Sequence, residues 1–234
     1  MSAQPPGPQV TSPAAQLPCE TTLNGRTVQL VRFNAKHADE LYPHVTTASL
    51  WQFLTVDPPK DEADFRTRAL QLSTSPDPFY FAVIDQRQDK PTTGKAVGYL
   101  TLMRIVPEHL CVEIGSILFS PAMQKSVCST EAVYLLLQYA FETLRYRRVE
   151  WKCNSLHEGS RRAALRLGFT FEGIFRQHMV IKGVNRDTAW FAMLREDWDG
   201  YLKESLEKWL DGGNFDASGV QQKRLEEIMD DLKG

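Results

Sequence analysis

The feature that most restricts the fold is a change of hydrophobic period near residue 130. Before it, residues 79–84, 96–104 and 112–119 are apolar or alternating runs of strand length. After it, Val133, Leu136, Leu137, Ala140, Phe141 and Leu144 fall on one helical face. Pro121 closes the last strand, and residues 120–129 form a loop leading into a helix expected from Thr130. A strand that passes through a loop into a helix start presents N–H groups with no internal partner. The helix dipole adds partial positive charge there. Such a junction suits a pyrophosphate.

The flanking sequence fits around this block. Val28 and Leu30 alternate in a first strand over 27–32, and Asn34 can cap a helix running to Tyr42. An aromatic-rich stretch at 50–54 is broken by Asp57-Pro58-Pro59, and Asp61 opens a helix to about Leu72. Val149, Trp151 and Cys153 alternate as a strand. Residues 160–167 read as a short helix with Ser160 at its N-cap and Gly168 as a left-handed C-terminal cap. Lys182-Gly183-Val184-Asn185 is a hairpin turn between two further strands. The order β-α-α-β-β-β-α-β-α-β-β predicts an α+β fold with a mixed, mostly antiparallel sheet flanked by helices. Residues 1–25 read as a disordered tail, 26–198 as one domain and 199–234 as a helical extension.

Composition narrows the function classes. The formal charge of −2 lacks the basic excess that phosphate-backbone binding needs, so nucleic acid is not expected as a partner. None of the four cysteines stands in a C-x-x-C pair or beside a His cluster. Neither a disulfide framework nor a metal site is expected, and a reducing, cytoplasmic setting fits. No run approaches the ~18 apolar residues of a membrane span.

A set of short motifs carries a resemblance. Glu113-Ile114-Gly115, Thr130-Glu131-Ala132, Tyr139-Ala140-Phe141, Ser160-Arg161-Arg162-Ala163-Ala164, Leu167-Gly168-Phe169, Phe171-Glu172-Gly173 and Arg186-Asp187 resemble the GNAT superfamily of N-acetyltransferases. The branch is the one that includes ribosomal-protein N-alpha-acetyltransferases. The likeness is specific over about 110–198 and a matter of layout before that. It implies the GNAT fold, acetyl-CoA as co-substrate, and an amine as acceptor.

The resemblance also assigns residues. Glu113 would be the general base and Ser160 the acid that protonates the leaving thiolate. Backbone N–H groups over Ile117, Leu118 and Phe119 would meet the thioester oxygen. The pyrophosphate loop would be Gln124, Lys125, Ser126, Val127, Cys128, Ser129 and Thr130, with His157 where the family places an Asn on the pantetheine arm. Glu131 should point away from the phosphates. Trp51, Tyr99 and Trp190 are candidates to line the acceptor site. Besides His157, two departures stand out. Val127 and Ser129 occupy positions that are glycine in the family's Q/R-x-x-G-x-G/A loop. A glutamate used as base by another branch member falls at Met179, with His178 beside it and expected on the opposite face.

The expected activity is acetyl transfer to a primary amine, a small molecule or a peptide N-terminus. The alternatives are a catalytically inactive acyl-CoA-binding or regulatory protein and a protein N-terminal acetyltransferase. A homodimer is compatible with the sequence.

Overall fold

The computed structural model describes residues 7–88 and 90–233. One eight-stranded sheet runs β1-β2-β3-β4-β5-β6-β8-β7. Its strands are β1 (Leu23–Asn24), β2 (Val28–Arg32), β3 (Phe79–Asp85), β4 (Ala96–Val106), β5 (Cys111–Phe119), β6 (Arg148–Asn154), β7 (Thr170–Ile181) and β8 (Val184–Leu194). Neighbours are antiparallel except β5 and β6, which run parallel and pair only at Cys111↔Arg148, Val112↔Val149 and Glu113↔Glu150. Beyond Glu113 the two strands part. On β4 the register slips between Tyr99 and Thr101, so β5 carries one extra residue there, and Ser116 has φ 44°.

The helices cover the two halves of this sheet unequally. Helices α1 (Ala35–Leu41) and α2 (Glu62–Thr74) lie over β2–β4. Phe33, Trp51, Phe65, Tyr80 and Tyr99 pack between them and the sheet. Asn34 accepts from the N–H groups of Lys36 and His37, and His37 returns a contact to the Asn34 N–H, which closes a capping box. On the other face, α3 (Val127–Gln138) joins α4 (Glu158–Arg166), α6 (Lys203–Leu210) and α7 (Leu225–Lys233) around one core. A short α5 (Arg195–Asp197) and a π-turn over Trp198–Leu202 lead from β8 into α6. Trp198, Leu202, Leu206, Trp209, Leu225 and Met229 belong to this core. Gly168 shows the closeness of the fit: its φ is 91°, and a Cβ there would collide with Leu202.

Several boundaries differ from the sequence reading. The tail expected to be disordered over 1–25 is docked from Ala15 onward. The Ala15 and Gln16 N–H groups donate to Pro107 O and Leu144 O, Cys19 N–H donates to the Tyr139 hydroxyl, and β1 follows. A proline-rich stretch has few N–H groups to satisfy, and these contacts satisfy three that remain. Helix α3 starts at Val127, one turn before Thr130. His157, not Ser160, caps α4: its Nδ1 accepts from Ser160 N–H at 3.1 Å. β7, the strand before the Lys182 turn, runs from Thr170 to Ile181 through bulges at Gly173 and Gln177 (φ 50°).

Candidate active site

The parting of β5 and β6 makes a V-shaped gap whose outer end meets the start of α3. Ser126 is the N-cap of α3, but its hydroxyl turns back to donate to Met123 O, so no side chain caps the first turn. Ser129 N–H donates to Ser126 O at 3.2 Å, and the Val127 and Cys128 N–H groups of that turn remain for an outside anion. The glycine-free loop has a simple explanation. Val127 and Ser129 are the first and third helical residues, where φ is ordinary for any side chain. The left-handed residue of the loop is Lys125, φ 53°, which is exposed. Gln124 folds back to donate to Phe119 O. Cys128 is fully buried with Sγ facing Thr27 O, and Thr130 is buried with Oγ1 accepting from Arg166. Their side chains thus belong to the scaffold, and of the two only the Cys128 N–H lies in the free first turn.

Glu131 points away from this turn, as its charge requires. Its carboxylate accepts from the N–H groups of Arg26, Thr27 and Val28 and from the Thr27 hydroxyl, at 2.5–3.0 Å. A Cβ on Gly25 would lie 2.7 Å from the Glu131 carboxyl carbon, so glycine makes room for the staple.

At the inner end of the gap sits Glu113, 3% exposed. Its Oε2 takes Arg104 at 2.5 Å and Lys152 at 3.1 Å. Oε1 receives no hydrogen bond from the described residues and lies over Gly115, where a Cβ would be 3.0 Å away. Lys152 also pairs with Glu150 at 2.5 Å and stands 3.8 Å from the centre of the Trp190 ring. Arg148 joins Glu150 to Glu172 on β7. Burial opposes ionisation of Glu150, but Lys152 and Arg148 outweigh it and hold its carboxyl below the usual range.

On the α4 side, the Ser160 hydroxyl accepts from Trp151 Nε1 at 2.9 Å. The His157 ring packs on Phe53 with centroids 4.3 Å apart, and burial pushes its pKa down. With Nδ1 accepting from Ser160, neutral His157 carries its proton on Nε2. The loop between α1 and α2 is strapped over this region. Lys182, at the β7–β8 turn, donates to Trp51 O at 2.8 Å and lies 3.6 Å from Asp57.

The acceptor candidates divide. Trp51 and Tyr99 are corrected to core residues: Trp51 is 1% exposed, with Nε1 donating to Val45 O, and Tyr99 is 4% exposed between Phe33 and Tyr80. Burial drives the Tyr99 phenol pKa far upward. Trp190 packs against Lys152 and Phe175. The bulge at Gln177 breaks strand alternation and brings His178 to the face of Trp190, with Nδ1 at 3.0 Å from Thr188 Oγ1. Ile117, Leu118 and Phe119 line the β5 edge beyond the parting, with Leu118 paired to Tyr99. Sequence reading missed Phe53, Arg104, Trp151 and Lys152. Only the alternation of Arg148, Glu150 and Lys152 on β6 hinted at a charged face.

Among the described residues, no cluster of three or more His, Cys, Asp or Glu side chains could hold a metal, and no helix is long and apolar enough to cross a membrane.

Comparison with known proteins agrees with this geometry. The acetyltransferase (GNAT) domain family matches residues 27–170. The structure of a GCN5-related N-acetyltransferase from Brucella melitensis is 43% identical, covers 94% of this chain and 99% of its own, and superposes with a TM-score of 0.89. The ribosomal-protein-S5-alanine acetyltransferase of Vibrio fischeri shares the fold at 18% identity, with a TM-score of 0.59 over 76% of this chain and 99% of its own. A Bacillus subtilis relative, "Putative ribosomal N-acetyltransferase YdaF", is 29% identical over 107 residues, which is 46% of this chain and 58% of that protein. The parted parallel strands, the uncapped helix behind them and the matched domain lead to one assignment: this chain belongs to the GNAT acetyltransferase family.

Proposed function

We propose that this protein is an N-acetyltransferase that moves an acetyl group from acetyl-CoA to a primary amine of a small molecule. The observation that carries the reading is the gap between β5 and β6, which leads from Glu113 to the uncapped first turn of α3. The turn suits the pyrophosphate, and the β5 edge over Ile117, Leu118 and Phe119 offers backbone N–H groups to the thioester oxygen. Glu113 Oε1 is the base that takes the amine proton, while Oε2 stays pinned by Arg104 and Lys152. Ser160 supplies the proton to the leaving sulfur. A small acceptor fits the strapped entrance, where Phe53 meets His157 and Lys182 meets Trp51. The four free cysteines suit a reducing, cytoplasmic setting.

The test is a broad amine screen with acetyl-CoA, read by thiol release and by mass of the product. Thiol release dependent on a small amine is the expected result. No coenzyme A binding at millimolar concentration would overturn the reading, and turnover restricted to peptide N-termini would overturn the small-molecule acceptor.

A further inference from the structure

The acid assigned to Ser160 does not stand alone. Trp151 lies on β6, 6% exposed, with its ring 5.6 Å from that of Phe169. Its indole N–H donates into the Ser160 oxygen at 2.9 Å. An indole can only donate, so the polarity of this contact is fixed: Ser160 is the acceptor and its own hydrogen must point elsewhere. The Ser160 backbone N–H is likewise committed, to His157 Nδ1 at 3.1 Å. Both contacts restrict one residue, from the strand below and from the cap of α4 beside it. Cys153, two residues along β6, is also buried, and that burial pushes its thiol pKa up.

We infer that Trp151 is a positioning residue for Ser160: its indole N–H holds the hydroxyl oxygen, aims the hydrogen at the leaving sulfur and stabilises the charge left on oxygen when that hydrogen departs. The inference rests on the acid role of Ser160. In the step concerned, the amine nitrogen bonds to the acetyl carbon and the C–S bond breaks with its electron pair on sulfur. The Ser160 proton moves to that sulfur, giving the free thiol. Ser160 then regains a proton from solvent, and the amine proton leaves to Glu113. A donor that stays bonded to Ser160 oxygen throughout strengthens as negative charge develops there.

The experiment is a double-mutant cycle on the full chain with acetyl-CoA and whichever amine the screen finds. Trp151→Phe keeps the aromatic packing and deletes the N–H. It is expected to lower kcat roughly tenfold, the scale of one hydrogen bond to a group gaining charge, with KM for acetyl-CoA unchanged. In a Ser160→Ala background the same change is expected to have no further effect. Phe169→Leu disturbs the same packing but spares the N–H, and should leave kcat near wild type. Additive losses in the cycle would overturn the inference. So would a Trp151→Phe enzyme at full kcat beside an impaired Ser160→Ala, or a Phe169→Leu loss equal to that of Trp151→Phe. Full activity of Ser160→Ala would instead remove the acid assignment itself, a different result from the same set of variants.

Discussion

Two buried carboxylates stand in different regions of the molecule and are treated differently by their surroundings. Glu131, where α3 meets β2, is saturated: three backbone N–H groups and one hydroxyl fill its lone pairs. Glu113, at the apex of the cleft, has both cations on one oxygen and leaves the other bare. The first arrangement engages both oxygens with neutral donors, Arg26 N–H on Oε1 and the Thr27 and Val28 groups on Oε2. The second leaves an oxygen open to chemistry and keeps its partner oxygen fixed. Saturation, more than burial, distinguishes the two carboxylates.

The comparison can be broken most directly at Glu131. Glu131→Ala strands the N–H groups of Thr27 and Val28 in a buried setting, and should cost about 4 kcal/mol of stability, since each orphaned donor costs roughly 1–3 kcal/mol. Denaturant unfolding measures it. A loss under about 1 kcal/mol would mean that the staple is dispensable. Any activity loss should follow the unfolded fraction rather than appear in kcat.

Lys152→Met probes the other region. It leaves Glu113 and Glu150 side by side without their shared cation, and should cost about 3 kcal/mol. Its pH dependence has a definite sign. Glu150 has a depressed pKa in the wild type, so its contribution is present above the usual carboxylate range and is lost as pH falls through the folded value. Without Lys152 the pair repels, and acidification from pH 7 toward 5 should raise the variant's stability while barely changing the wild type. A variant that loses stability on acidification would contradict the assigned pairing.

Glu113→Gln should lower turnover roughly hundredfold, the scale of a lost general base, with acetyl-CoA binding nearly unchanged. Stopped-flow rates and calorimetry separate the two. Full activity across pH would return Glu113 to the class of Glu131, a structural carboxylate. A smaller effect should come from the loop. Glycine at both Val127 and Ser129, in the first turn of α3, should cost up to about 1 kcal/mol and should loosen acetyl-CoA binding. Tighter binding would show that the loop wants the glycines after all. Lys125→Gly, at the one left-handed position, should change stability by less than about 0.5 kcal/mol.

The scaffold was more legible in the sequence than the site. The caps at Asn34 and Asp61, the turn at Lys182-Gly183 and the glycine after α4 are local signals, and each sits where its chemistry requires. The start of α3 was not legible because the residue that opens it, Ser126, spends its side chain on Met123 O instead of on the helix. The long-range partners were hidden for another reason. Glu131 meets residues about 100 positions earlier, and Phe53 meets His157 across a similar interval. No periodicity records such pairings; they exist only once the sheet order is set. His178 was misplaced because alternation fails at a bulge that sequence does not announce.

The collision that any side chain at Gly168 would have with Leu202 bears on how the protein is made. The core behind the sheet is filled from both ends of the chain, by residues near Ala15 and Val28 and by residues from Trp198 to Met229. During synthesis the strands emerge first, and the apolar face of α3 has no lasting cover until α6 and α7 leave the ribosome. Completion of this core therefore waits for residues 198–229 to emerge. A nascent chain stalled before residue 198 would carry every strand of the sheet and an unfinished interior.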